Sequence, residues 1–117
     1  MVETIARGIL CNNNRVLLSK KQGEDYYALV GGHIEEETLQ AGLKREFKEE
    51  TNLKIEIERF LYLIENAYQK GERKHYEVVF YFLVHRVGGT FMDRRDDATL
   101  SFVPLEEIKN IRLLPPL

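Results

Sequence analysis

Apolar and polar residues alternate at the start of the chain, and that alternation predicts strands. Residues 5–11 (IARGILC) read as a first strand and residues 15–20 (RVLLSK) as its hairpin partner. Asn12-Asn13-Asn14 joins them, and asparagine tolerates the left-handed backbone of a tight turn. Gln22-Gly23-Glu24-Asp25 forms a polar loop before a short strand over residues 26–30, which ends on Gly31-Gly32. From Thr38 to Thr51 the period changes. Leu39, Leu43 and Phe47 recur every four residues, the apolar stripe of an amphipathic helix. Thr38 supplies its N-cap, and Asn52 can end it in the left-handed conformation usually given to glycine.

Residues 54–58 alternate again, and residues 60–64 are nearly all apolar. Lys70-Gly71-Glu72-Arg73 predicts a turn. Residues 76–84 (YEVVFYFLV) are so continuously apolar that both faces of that strand are expected to be covered. Gly88-Gly89 is the next turn, and residues 100–103 form a last strand. Pro104 suits the first turn of a helix beginning at Leu105 (LEEIKN). The sum is an α/β (α+β) fold, an α/β/α sandwich in which a mixed β-sheet carries a helix on each face. With 117 residues and no internal repeat, one domain over 1–117 is expected.

Composition narrows the function classes. A hydrophobic fraction of 44% and a charged fraction of 31% are ordinary for a globular domain. The net charge of −2 offers no polycation attraction, so no nucleic-acid polymer is expected as a partner. Phosphate ligands stay open, because a bound metal can invert the local field. The longest near-apolar run, residues 78–84, is far too short to span a bilayer, so no membrane partner is expected. The opening MVET lacks the basic and apolar regions of a signal peptide. Cys11 is the only cysteine, which excludes an internal disulfide and a Cys-based zinc site and fits a reducing, cytoplasmic setting. It is expected to be a buried small apolar residue. His33, His75 and His85 lack metal-ligand spacing and read as ordinary polar residues. The apolar end, LLPPL, is expected to dock on the domain or on a partner, which leaves a homodimer open.

The candidate chemistry lies on the helix. Glu46, Glu49 and Glu50 stand at i, i+3 and i+4, so their side chains emerge close together. Like charges at this spacing weaken a helix by roughly a few tenths of a kcal/mol per pair. Two of them sit in the last turn, where the helix dipole also disfavours negative charge. A hard cation such as Mg²⁺ removes the conflict, since it takes several oxygen ligands. Taken alone, the same pattern also fits a solvated helix face. Gly31-Gly32 lets the backbone turn sharply and free a carbonyl for a metal, or is a turn and nothing more. Glu37 could reach Arg45 and orient the site, or only complement the helix dipole.

The spacing of these residues resembles the Nudix box. Gly31, five residues, Glu37, seven residues, then Arg45-Glu46-Phe47-Lys48-Glu49-Glu50-Thr51-Asn52-Leu53 follow its order over 23 positions. The flanking strands and the PLEEI segment fit the family's order too. Asn52 replaces the usual final glycine, Phe47 an aliphatic residue, and Val30 a common proline. GGHIEEE also lacks the inner glycine of many members, so the spacing survives only when counted from Gly31.

The resemblance implies a pyrophosphohydrolase in which water attacks a diphosphate linkage of a nucleoside diphosphate derivative. NTPs or dNTPs, ADP-ribose, nucleotide sugars and dinucleoside polyphosphates are the small-molecule candidates. It implies Mg²⁺ or Mn²⁺ held by Glu46, Glu49 and Glu50, with a carbonyl of Gly31 or Gly32 completing the shell and Arg45 and Glu37 holding the geometry. One glutamate, or a water held by the set, would be the base. Arg7, Lys20, Tyr27 and Asp97 are the expected substrate-binding residues, with Lys21 and Asp96 beside two of them. Tyr26, Tyr27 and Tyr68 could stack on a base, and Tyr68 lies where similar proteins acting on dinucleoside polyphosphates carry a tyrosine. As aromatics in strands they could equally be core residues. Two other readings compete: a Nudix-fold module that binds a nucleotide without turning it over, and a purely structural domain with a charged helix. Binding-only relatives typically lose box carboxylates, and all three are kept here.

Overall fold

In the computed structural model, which describes residues 2–114, the alternating segments form six strands: β1 (Val2–Asn12), β2 (Arg15–Lys21), β3 (Tyr27–His33), β4 (Lys54–Lys70), β5 (Arg73–Gly88) and β6 (Ala98–Pro104). One helix, α1 (Leu39–Thr51), lies between β3 and β4. The sheet order is β4-β5-β1-β3-β2-β6. β1 runs parallel to β5 from Val2↔Tyr76 to Leu10↔Val84, and the other pairings are antiparallel, so the sheet is mixed.

Successive residues of a strand point to opposite faces, and here both faces are covered. Ala6, Leu17, Val30, Phe82 and Val84 join Leu43 and Phe47 of α1 in one core. Their neighbours Ile5, Leu18, Leu29, Val79 and Tyr81 build the other, against Ile108, Ile111 and Leu113. The continuous apolar run of β5 therefore serves two cores, as expected, from Val79 onward. Tyr76, at its start, is 47% exposed.

Local signals behave as read. Thr38 Oγ1 accepts from Ala41 N at 3.1 Å, and Asn52 closes the helix at φ 63°. Asn13 and Asn14 both take positive φ, the pair a two-residue hairpin turn demands. Phe47 is fully buried, and its ring anchors α1 to the sheet; burial of this size is worth about 1.5–3 kcal/mol.

Three details differ from the sequence reading, and a fourth expectation holds in part. β4 is one strand of 17 residues instead of two, because bulges at Ile57/Arg59 and Phe60/Tyr62 absorb the break in alternation. The segment Leu105–Asn110 is a short 3₁₀ helix, as suits a single tight connection. Cys11 is exposed, not buried, since it sits where β1 leaves the core for its turn. The chain end docks in part on the domain: Tyr27 N donates to Arg112 O at 2.7 Å and Leu114 N to Tyr27 O at 2.9 Å. Pro115-Pro116-Leu117 lies outside the described residues. No helix among the described residues is long and apolar enough to cross a membrane.

Candidate active site

β3 changes partner just before the glycine pair, lying on β2 up to Leu29 and on β1 from Val30. Gly31 has φ 153°, and a Cβ there would lie 2.0 Å from Ala6 O, so no side chain fits. A Cβ on Gly32 would lie 2.7 Å from Glu46 Oε1. The bare backbone at Gly32 is thus what lets the Glu46 carboxylate rest against β3. The glycine pair joins sheet and helix at the site.

The three glutamates do not share one environment. Residues four apart stack along a helix, whereas a residue three apart is turned about 60° to the other side. Glu46 and Glu50 face inward, with side chains 16% and 12% exposed. Glu49 is 58% exposed and points to Arg45, 3.1 Å away. Among the described residues, no three His, Cys, Asp or Glu side chains converge closely enough to hold a metal ion as they stand. The expected three-carboxylate cluster is therefore an inward pair plus an outward third.

Arg45 keeps Glu49 outward. Its guanidinium donates to Glu37 Oε2 at 2.7 Å and Oε1 at 3.0 Å, to Glu49 at 3.1 Å and to Glu46 at 3.3 Å. It also donates to the His33 carbonyl at 3.2 Å. The Glu37–Arg45 contact expected from the sequence is thus the best-formed pair in the site. The Arg45 hydrogen bonds, joined by the Glu35 backbone interaction, hold the Glu37 carboxyl down at about 2, and the same contact raises the Arg45 guanidinium.

Glu50 is in the opposite state. Burial, then the adjoining Glu46 carboxyl, pushes its carboxyl up to about 8, with Arg95 opposing. Arg95 Nη1 lies 3.1 Å from Glu50 Oε1, yet neither Glu50 oxygen has an aligned hydrogen-bond donor. A carboxylate whose two oxygens are buried and unpaired, set beside a second half-buried carboxylate, is costly. A hard cation relieves that cost, and an all-oxygen donor set suits Mg²⁺ or Mn²⁺. The residues present fit such an ion.

Arg95 carries a part the sequence reading assigned only to its acidic neighbours. It reaches Glu50, Ser19 Oγ at 3.1 Å and Asp97 at 3.1 Å, linking α1, β2 and its own loop. The loop is fixed by Met92 N and Arg94 N donating to the Thr51 and Glu50 carbonyls at 2.9 Å, and by Asp93 Oδ2 accepting from Leu100 N at 3.0 Å. Asp97 is therefore tied to the carboxylates through Arg95, and both it and Asp96 are exposed. An arginine close to acidic residues in a run such as RRDDA was the available signal.

Beside this centre lies a cleft of about 570 Å³, lined by Arg7, Ser19, Lys21, Tyr26, His33, Asn66, Tyr68, Glu77 and Arg95 among others. Arg7 forms part of its floor, donating to the Leu29 carbonyl at 2.8 Å while its Nε has no partner. Burial lowers the Arg7 guanidinium. Strand alternation separates the remaining candidates. Lys21 and Tyr26 line the cleft, while Lys20 lies over the Tyr27 ring at 5.8 Å and Tyr27 packs against the second core. His75 does serve as a partner, stacking on Tyr68 at 4.9 Å.

Comparison with known proteins adds the family. The NUDIX domain matches residues 2–116. A MutT protein from Bacillus halodurans superposes with a TM-score of 0.83 at 17% identity, over 97% of this chain and 75% of that one. An ADP-ribose pyrophosphatase from Streptococcus suis gives 0.74 at 18% identity, over 96% and 79%. A UDP-X diphosphatase gives 0.73 at 25% identity and covers 97% of this chain, which spans 55% of its length. Among curated proteins no sequence match was found.

Proposed function

Since the chain belongs to the Nudix hydrolase family, we propose that it is a metal-dependent pyrophosphohydrolase acting on a small-molecule nucleoside diphosphate derivative. The observation that carries this reading is the half-buried Glu46–Glu50 pair: Glu46 rests against the bare backbone of Gly32, and the buried Glu50 oxygens lack hydrogen-bond donors. Glu46 and Glu50 would hold Mg²⁺ or Mn²⁺, joined by Glu49 when its side chain leaves Arg45. When bound, the ion neutralises charge on the diphosphate oxygens and lowers the pKa of the attacking water.

The rest of the site supports the same chemistry. Arg45 and Glu37 lock each other and tie α1 to the β3 end through the His33 carbonyl, so the carboxylates are held in place before substrate arrives. Arg7, Lys21 and Arg95 put positive charge along the adjoining cleft, where a diphosphate would lie. Fixed charge aimed at a phosphoryl group is the main source of acceleration in such reactions.

The test is a panel. The protein with Mg²⁺ is incubated with NTPs, oxidised dNTPs, ADP-ribose, nucleotide sugars and dinucleoside polyphosphates, and phosphate or pyrophosphate release is followed. At least one should be turned over in a metal-dependent way. Tight binding of a nucleotide with no turnover of any would instead assign the domain as a nucleotide sensor.

A further inference from the structure

Asn66 and Glu77 lie away from the carboxylate helix and have no part in the hydrolytic step described above. They face each other across the β4–β5 ladder, and Asn66 Nδ2 donates to Glu77 Oε1 at 2.9 Å. Both line the cleft. Glu77 is only 9% exposed, in a strand that is otherwise apolar at its buried positions. Among the described residues no donor reaches its Oε2, and that atom is not sealed from solvent. A carboxylate this deep is unfavourable unless donors meet it, so its free oxygen is a ready acceptor for a ligand N–H.

The cleft is polar in a directed sense. Arg7, Lys21 and Arg95 bring positive charge toward α1, while Glu77 and Asn66 mark the part built by the hairpin. A ligand that fits both carries anionic phosphate at one end and N–H donors at the other. Next to that pair, toward the hairpin tip, Tyr68 is 42% exposed and lines the cleft. Its ring is backed by His75 at 4.9 Å with planes 8° apart, which holds it as a flat platform for a planar base.

Base edges differ in how they meet an acceptor pair beside an amide. Guanine presents two adjacent donors, N1–H and the N2 amino group, next to the O6 acceptor. Adenine and cytosine each place one amino group beside a ring lone pair, which a carboxylate repels. Uracil has a single N–H between two carbonyls. Two adjacent donors are what the Glu77 carboxylate can accept together, and the second N–H of Asn66 Nδ2 is left for O6.

We propose that Asn66 and Glu77 make this cleft selective for guanine nucleotides, with Glu77 accepting from N1–H and N2–H and Tyr68 stacking on the base. The proposal rests on the hydrolase reading only for the presence of a nucleotide in the cleft.

The experiment is metal-free calorimetry of the full chain with GMP, IMP, AMP, CMP and UMP. GMP should bind at least about tenfold more tightly than AMP, CMP or UMP, the discrimination a bidentate contact supplies. IMP lacks the N2 amino group and should fall between. Glu77→Gln, checked for native fold by circular dichroism, should shrink the GMP advantage over AMP to within about threefold. The wild-type panel needs no variant to fold. Equal affinity for all bases, or no binding of GMP, overturns the proposal. Metal-dependent turnover without base preference leaves the hydrolase reading standing and removes this one. Guanine preference without turnover of any substrate does the reverse.

Discussion

Helix α1 and the β4–β5 hairpin bring shielded carboxylates to neighbouring places, the first beside the cleft and the second in its lining, by different routes. On α1, Glu46 and Glu50 are neighbours because a helix stacks residues four apart. In the hairpin, Glu77 meets Asn66, eleven residues away, because cross-strand register sets them opposite each other. The helix pair lacks donors for Glu50 and would suit a cation, while the hairpin pair is half satisfied internally and open to a donor. The same functional group thus suits opposite chemistry according to what the fold sets beside it.

The sharpest way to break this comparison is at the helix. Glu50→Gln should lower the hydrolytic rate by about two to three orders of magnitude with the fold intact, since one fixed charge at a phosphoryl site is worth that much. Glu49→Gln should also fall by orders of magnitude if its side chain swings from Arg45 to join the ion. Turnover at wild-type rates in either variant would remove that glutamate from the catalytic set.

A second test separates ligands from the residues that hold them. Arg45→Ala removes contacts to Glu37, Glu46, Glu49 and His33 at once. Mg²⁺ affinity, read by titration calorimetry, should weaken by about 10–100-fold. Arg45→Lys should rescue little, because an ammonium cannot reproduce the two-pronged contact to Glu37. Full rescue would show that Arg45 acts through charge alone.

The junction between sheet and helix can be probed by stability. Gly31→Ala should destabilise by at least about 2 kcal/mol, through both its φ of 153° and the 2.0 Å approach to Ala6 O. Denaturant melts measure this, and an unchanged midpoint would mean the strand yields easily.

The smallest effect is in pH. The Glu37 carboxyl, held at about 2 by Arg45, lies below its ordinary value near 4.5. The ionised form is favoured in the folded state, so its contribution is complete above pH 4.5 and lost as pH falls toward 2. The melting-temperature gap between wild type and Glu37→Gln should be constant above pH 5 and close at lower pH. A gap independent of pH would assign the pair to packing.

Elements whose signals are local were legible in the chain. Leu39, Leu43 and Phe47 announce α1, Thr38 and Asn52 cap it, and the Asn13-Asn14 turn takes its left-handed form. The order of strands in a mixed sheet was legible only as a class. That β1 lies parallel to β5 follows from which faces bury together, and no local pattern states it.

The site divides in the same way. Spacing along one helix sufficed to nominate Glu46, Glu49 and Glu50, and spacing back to Glu37 sufficed for its contact with Arg45. It could not tell that Glu49 faces outward, because that depends on where Arg45 finds its other acceptors. Arg95, Asn66 and Glu77 were invisible as partners, since each meets its neighbour through loop docking or strand register. Lys21 and Tyr26 line the cleft where the sequence favours Lys20 and Tyr27, because the phase of a strand relative to a cleft is set by its pairing. By itself the sequence determined the helix, its caps, its turns and the carboxylates it carries, all fixed by interactions within a few residues. Only the tertiary structure decided which of those carboxylates are desolvated and which side chains complete the cleft, because burial and register are properties of distant segments brought together.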